Sequence, residues 1–393
     1  MSELVSLFLA VLALPATFSC AYLALLTLLS WPLPSPGRSS RRLCFDVIVP
    51  AHNEEAGIAR TVSSLLAMDW PGSQFRVVVV ADNCSDATAA AARDAGAQVL
   101  ERKDLNLRGK GYALAHTFAW SIKDGFARAV VVVDADAEVS ANLLEAFAVR
   151  IERGAKAVQA HYGILNPWAS WRTQLITIAK GAFHVVRSRA RERLGLSCGV
   201  RGNGWCVTHA LLHEVPYRYY SLTEDVEFGI ALGLAGCRVE YAGEAHADAD
   251  MASSEKAART QRQRWEKGRF QLIRSMTVPM LLAGVRRRSL LCLDLAFDLL
   301  VPPLSYLTLN IVLLGLIAGV VSFWDQSATF WVWWSLACAV ILVLHVLRGW
   351  QLSGMGIRGL LALAHVPGFI LWRVWLLLGR KTSEWVRTER EKN

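Results

Sequence analysis

None of the eight cysteines is spaced from another as Cys-x-x-Cys. A zinc ribbon or a disulfide-stapled secreted domain therefore has no framework here. No Walker loop occurs, and no Gly-x-Gly-x-x-Gly follows an apolar strand run, so ATPase and dehydrogenase readings recede. No basic residue precedes the first apolar run, Leu4–Leu29. That run is also too long for the core of a signal peptide, and a retained anchor fits it better. Acids are in the minority, 33 against 42 Lys and Arg, for a net charge of +9. The surplus lies beside apolar runs, at Arg38, Arg41 and Arg42 and again at Arg286, Arg287 and Arg288. Attraction to anionic lipid headgroups accounts for that placement; no nucleic-acid partner is expected.

What the chain has in abundance is apolar residues, 53% of the total, set in blocks. Leu4–Leu29 and most of 299–323, 328–347 and 360–379 are apolar. About 20 such residues span a bilayer core. The arginines after the first run place the middle of the chain in the cytoplasm by the positive-inside rule. Asp294 and Asp298, four residues apart, mark an interfacial helix. The last apolar run holds His365, Pro367 and Arg373 and precedes a basic tail, which favours an interfacial or re-entrant segment and leaves three spans.

In the middle, apolar runs alternate with helical periods. Phe45–Val49, Phe75–Val80, Ala97–Leu100 and Ala129–Val133 read as strands, the nearly all-apolar ones covered on both faces. Asn53 is expected to cap a helix with Glu54 and Glu55 in its first turn and Ile58, Val62, Leu65 and Leu66 on its inner face. Ser85 or Asp86 opens an alanine-rich helix that Gly96 closes, and 112–123 forms another. The alternation predicts an α/β fold, a mostly parallel sheet with flanking helices. Ligands in such sheets sit beyond the carboxyl ends of the strands.

Those ends are polar. Asp82 and Asn83 follow the second strand, and Asp134-Ala135-Asp136 follows the fourth. In an extended segment Asp134 and Asp136 face one way, with no lysine beside them in sequence. Oxygen-only ligands favour Mg2+ or Mn2+ shared with phosphates; a solvated strand end reads the same. Arg108-Gly109-Lys110-Gly111 suits a phosphate or a plain turn. Thr223, Glu224 and Asp225 open a helix, either as a cap with first-turn acids or as a carboxylate placed to take a proton from a hydroxyl. On a helix Gln261, Arg264 and Trp265 share one face. They suit a diphosphate beside a sugar ring; the alternative is a bilayer-interface helix with Trp at headgroup depth.

In order, Asp82, Asp134-Ala135-Asp136, Thr223-Glu224-Asp225 and Gln261-Arg262-Gln263-Arg264-Trp265 resemble the signature of membrane-integrated family 2 glycosyltransferases. Cellulose, hyaluronan, chitin and poly-N-acetylglucosamine synthases belong there. The segments 50–55, 81–88, 109–114, 202–204 and 385–390 are also similar to pieces of that family, and the likeness runs from residue 44 to 393. Two departures stand out: Asp82 is followed by Asn83 where many members have paired acids, and His246-Ala247-Asp248-Ala249-Asp250 has no close counterpart.

The resemblance implies a GT-A fold inserted between transmembrane helices. The expected organisation is a transmembrane helix over 1–32, a cytoplasmic GT-A domain over 44–250, the Gln-x-x-Arg-Trp helix and interfacial helices over 251–300, a transmembrane and interfacial region over 301–379 and a basic cytoplasmic tail over 380–393. It also implies a nucleotide-sugar donor, most often a UDP-sugar. Asp82 would hold the base or ribose, and Lys110 would lie by the nucleotide. Asp134 and Asp136 would hold the diphosphate through Mg2+ or Mn2+. Gln261 and Arg264 would contact the diphosphate, Trp265 and Glu224 the acceptor, and Asp225 would be the general base. His246 is either a third metal ligand or structural. The implied reaction is inverting hexosyl transfer to a hydroxyl of a glycan or lipid at the cytoplasmic face of a bacterial membrane. Few spans leave little material for a channel in a monomer, which favours a short product, a lipid acceptor or a homo-oligomer. The competing reading is a membrane-anchored regulator that binds a nucleotide-sugar without catalysis.

Overall fold

The computed structural model describes residues 2–252 and 255–370. The chain runs α1 (Ser2–Leu28), β1 (Phe45–Ala51), α2 (Ile58–Leu66), β2 (Phe75–Asp82), α3 (Thr88–Asp94), β3 (Gln98–Arg102), α4 (Lys110–Asp124), β4 (Ala129–Val132), β5 (Ala137–Val139), α5 (Leu143–Ile151) and β6 (Ala157–His161). There follow α6 (Trp171–Lys180), a π-helical turn (Gly181–Val186), α7 (Arg187–Arg193), β7 (Trp205–Thr208), α8 (His209–Glu214), α9 (Glu224–Leu234) and β8 (Val239–Ala249). The last described helices are α10 (Glu255–Arg286), α11 (Leu290–Leu300), α12 (Leu304–Val321), α13 (Thr329–Leu352) and α14 (Gly356–Ala362).

Two units result. A sheet unit comprises Pro32–Pro167 and Arg191–Ala296; a helical unit comprises Trp168–Ala190 with the described parts of Met1–Trp31 and Phe297–Arg387. The segment 168–190, placed with the central domain by sequence, thus folds with the apolar helices.

The sheet has eight strands in the order β3-β2-β1-β4-β7-β6-β8-β5. β3, β2, β1 and β4 are parallel neighbours, and β7 then enters antiparallel to β4 and β6. Alternate residues serve opposite faces. Val47, Val49, Val77, Val79 and Val131 pack with Ile58, Val62 and Leu65 of α2. Ile48, Val80, Val130 and Val132 pack with Leu114 and Phe118 of α4. Covering on both faces is why these strands are nearly continuous runs of valine.

Two local expectations change. Asn53 does not cap α2: its backbone is left-handed at φ +57°, and its side-chain oxygen takes the Ser85 N–H at 2.8 Å. The helix starts later, after Gly57. Leu66 is exposed, leaving Ile58, Val62 and Leu65 as the buried face. Both acids of α11 are ion-paired within the chain. Asp294 pairs with the fully buried Arg191 at 2.9 Å in the sheet unit, and Asp298 pairs with buried Arg187 at 3.0 Å in the helical unit.

Among the described residues of the helical unit three helices, Glu3–Leu28, Leu304–Val321 and Gln326–Leu352, are long and apolar enough to cross a membrane. Gly356–Ile370 is apolar but shorter. The rest of the last apolar run, the basic tail and 385–390 lie outside the described residues.

Candidate active site

Four pieces meet at the carboxyl ends of the parallel strands: the residues after β4, the start of α4, the loop before β7 and the start of α9. Lys110, first residue of α4, donates to Asp134 Oδ1 at 2.5 Å and to the Gly202 carbonyl at 2.8 Å. Asn203 is fully buried, and its side-chain oxygen accepts the Asp134 N–H at 3.0 Å. Buried Gln159 fixes that loop by donating to the Asn203 and Gly204 carbonyls at 2.7 and 3.1 Å and accepting the Arg201 N–H at 2.8 Å.

Two glycines set the spacing. Gly202 has φ +80°, and a Cβ there would lie 3.3 Å from Asp225 Oδ2. At Gly111 a Cβ would sit 2.1 Å from the Tyr219 carbonyl oxygen, so α4 approaches the segment before α9 as only glycine permits. Thr223 precedes α9 without making a side-chain cap hydrogen bond. Its methyl instead lies beneath α10, where a Cβ on Gly268 would come within 2.3 Å of it. Thus α10, which carries Gln261, Arg264 and Trp265, rests on the segment that carries Asp225. Gln261 is half-buried and Trp265 is 40% exposed; the Arg264 side chain lies outside the described set.

Asp82 ends β2 and is buried. Arg102, its register partner on β3, holds it at 2.6 Å. The Arg102 guanidinium lies 5.9 Å from the Tyr112 ring centre, and Tyr112 stacks on Tyr220 with centroids 4.1 Å apart. Sequence reasoning named none of Arg102, Tyr112, Tyr220 or Asn203 for the site. Arg102 was findable: it closes the strand beside the one that ends in Asp82.

The acid pair also differs from expectation. Asp134 and Asp136 are not on one face of an extended strand. The Asp134 carbonyl accepts the Ala137 N–H at 3.1 Å, so Asp134 opens, and Asp136 lies within, a turn that links β4 to β5. Nor is a lysine absent, because Lys110 reaches Asp134 across space. The Asp136 carbonyl accepts from Arg60 at 3.4 Å, and Arg60 also pairs with Asp250 at 2.6 Å. Two carboxylate donors two residues apart suit a hard divalent cation that takes its other oxygens from phosphate and water. Among the described residues no set of three or more His, Cys, Asp or Glu side chains converges for a metal. His246 is ion-paired with Asp248 at 2.8 Å.

Charge in the site is unbalanced. Burial pushes the Glu224 carboxyl up from 4.5 to about 7; the Asp225 charge adds to this and Lys110 opposes it. Burial likewise raises Asp225 above the usual carboxylate range, again against Lys110. Burial alone would lower the Lys110 ammonium. The charges of Asp134, Glu224 and Asp225 outweigh it and hold the ammonium above its ordinary value. Among the described residues one cation thus serves these three acids.

A family model described as glycosyltransferase-like family 2 matches residues 42–268, which include all of these side chains. The chain belongs to that family. Among curated family 2 relatives, a beta-monoglucosyldiacylglycerol synthase of Synechocystis is 28% identical over 235 residues, covering 57% of this chain and 47% of the relative. Cellulose synthase 2 of Novacetimonas hansenii is 36% identical over 125 residues, 29% of this chain and 8% of the relative. The match spans about half the length of the beta-monoglucosyldiacylglycerol synthases. A mannosyltransferase of Pyrobaculum calidifontis, solved with GDP-Man and Mn2+, superposes with a TM-score of 0.52 at 16% identity, over 89% of this chain and 99% of that one. This likeness establishes the GT-A-type fold of the family 2 domain.

Proposed function

We propose that the chain is an inverting hexosyltransferase that moves a sugar from a nucleotide-sugar, preferentially a UDP-sugar, to a hydroxyl of a lipid or glycan acceptor at the cytoplasmic face of a membrane. One observation carries this reading. Lys110, Asp134, Asn203 and Asp225 converge at the strand ends where α/β folds bind ligands. Asp225 takes the proton of the acceptor hydroxyl as its oxygen attacks the anomeric carbon, and the nucleoside diphosphate leaves from the opposite side. Lys110 offsets charge on the diphosphate, with Gln261 and Arg264 as further contacts, and Trp265 and Glu224 face the acceptor. Asp82, fixed by Arg102, holds the base or ribose. Asp134 and Asp136 are the residues that would hold Mg2+ or Mn2+, which when bound supplies positive charge to the leaving diphosphate. The glucolipid-synthase names of the aligned relatives support a lipid acceptor.

Membranes carrying the chain, given UDP-, GDP- and dTDP-sugars with Mg2+ or Mn2+, should release nucleotide from one donor class. Asp225→Asn should still bind that donor but turn over roughly 10²–10⁴-fold more slowly. Near wild-type turnover in the Asn variant rules out the base role, and nucleotide binding without release by wild type favours a regulator.

A further inference from the structure

The helical unit holds a charge arrangement that the transfer reaction does not use. Near the end of α13, the Arg348 guanidinium is fixed in place: Nε donates to Ser30 Oγ at 2.9 Å, Nη2 to the Ser30 carbonyl at 3.1 Å and Nη1 to Gln351 Oε1 at 2.5 Å. Trp31 covers one face, with its ring centre 5.3 Å away. Ser30 is itself fully buried and donates its hydroxyl to the Thr27 carbonyl at 2.7 Å. None of these partners is charged. A guanidinium has five N–H donors; three are engaged, so two remain in a fixed plane.

A second, independent observation is Arg189. It is half-buried on α7, has no hydrogen bond or ion pair among the described residues, and follows the π-helical turn that packs on α13 next to Arg348, where a Cβ on Gly349 would lie 2.7 Å from the Ala182 Cβ. The described acids of this unit are accounted for. Asp298 belongs to Arg187. Glu3 and Asp325 lie at the other end of the bundle, where Ser6 meets Ser327. Neither guanidinium is paired with an anion among the described residues.

We propose that Arg348 and Arg189 bind the phosphate of an anionic phospholipid headgroup. A planar guanidinium matches phosphate oxygens in pairs of hydrogen bonds, and it cannot lose its charge. The site lies where α1 and α13, both long and apolar enough to cross a membrane, end together. Trp31, 64% exposed, has the amphipathic character of headgroup-depth residues. Leu28 and Leu344, one helical turn away, are exposed and offer apolar surface to acyl chains. A free phosphate would use the arginines but gain nothing from these leucines.

The test uses the purified full chain in neutral detergent. Thermal unfolding and native mass spectrometry would be read with phosphatidylglycerol, phosphatidylcholine or inorganic phosphate added. Phosphatidylglycerol alone should raise the Tm and remain bound. Arg189→Gln, which breaks no described contact, should weaken phosphatidylglycerol binding roughly fivefold, as should Arg348→Gln, whereas Arg358→Gln on the exposed side of α14 should not. If phosphatidylcholine stabilises equally, or Arg189→Gln binds like wild type, the site is wrong. If inorganic phosphate reproduces the shift, the lipid assignment falls.

Discussion

The sheet unit treats buried charge in two ways. At Arg191 and Asp294 one buried cation meets one buried acid at 2.9 Å, away from the strand ends. At the strand ends, Lys110 faces Asp134, Glu224 and Asp225 together. The balanced pair locks one helix onto another and leaves no net charge for a ligand to answer. The unbalanced cluster keeps a carboxylate in partial competition for its cation, with Glu224 held at about 7. That is the condition in which a proton can move and a phosphate or metal can change who is paired with whom.

The contrast breaks most clearly at the balanced pair. Arg191→Ala removes the cation 2.9 Å from buried Asp294, and the folded state should lose about 3–5 kcal/mol. The double change Arg191→Met with Asp294→Leu should restore most of that loss. Paired urea or thermal melts would check it; a double variant no better than the single would show that the two residues are not a unit.

A smaller effect is expected at Lys110. Lys110→Met should weaken nucleotide binding by roughly 10–100-fold, the range of a charge-assisted hydrogen bond of about 1.5–3 kcal/mol. Its Tm should fall further at pH 8 than at pH 5, since the uncompensated acids ionise as pH rises. Calorimetric titration with the nucleoside diphosphate and melts at both pH values would settle the matter. Unchanged affinity would move Lys110 from the site to the scaffold.

Smallest is the effect of Glu224→Gln. The folded chain holds this proton up to about 7, while the unfolded chain releases it near 4.5. Between those values the native state binds more protons, so stability falls as pH climbs from about 4.5 to about 7 and levels off above. The swing is about 1–3 kcal/mol. The Gln variant should flatten that slope and gain on wild type at pH 8. A Tm-versus-pH curve parallel to wild type would mean that Glu224 titrates normally.

Much of the scaffold was legible in order along the chain. Valine runs announced β1, β2 and β4; Gly96 closed α3; Asp82 and Asp134 stood at strand ends. What spacing hid was contact across distance. Lys110 and Asp134 are 24 residues apart and Gly202 lies farther still, so sequence left Asp134 without its cation. The turn at Asp134–Ala137 was invisible because an Asp-Ala-Asp string fits a strand or a turn equally well. The ion pairs of the α11 acids were hidden because Arg187 and Arg191, also four residues apart, lie more than a hundred residues earlier in the chain.

The seat of Gly268 on Thr223 has a consequence for exchanging parts between relatives. With no room for even one methyl between them, the helix bearing Gln261 and Trp265 cannot be transplanted as a cassette. A graft of 255–286 must bring its own version of 219–225, and Gly111 then ties that segment back to the loop of Lys110. The proposed donor contacts and the proposed base are inherited together or not at all, so acceptor preference is better altered by changing side chains on this frame than by swapping the frame.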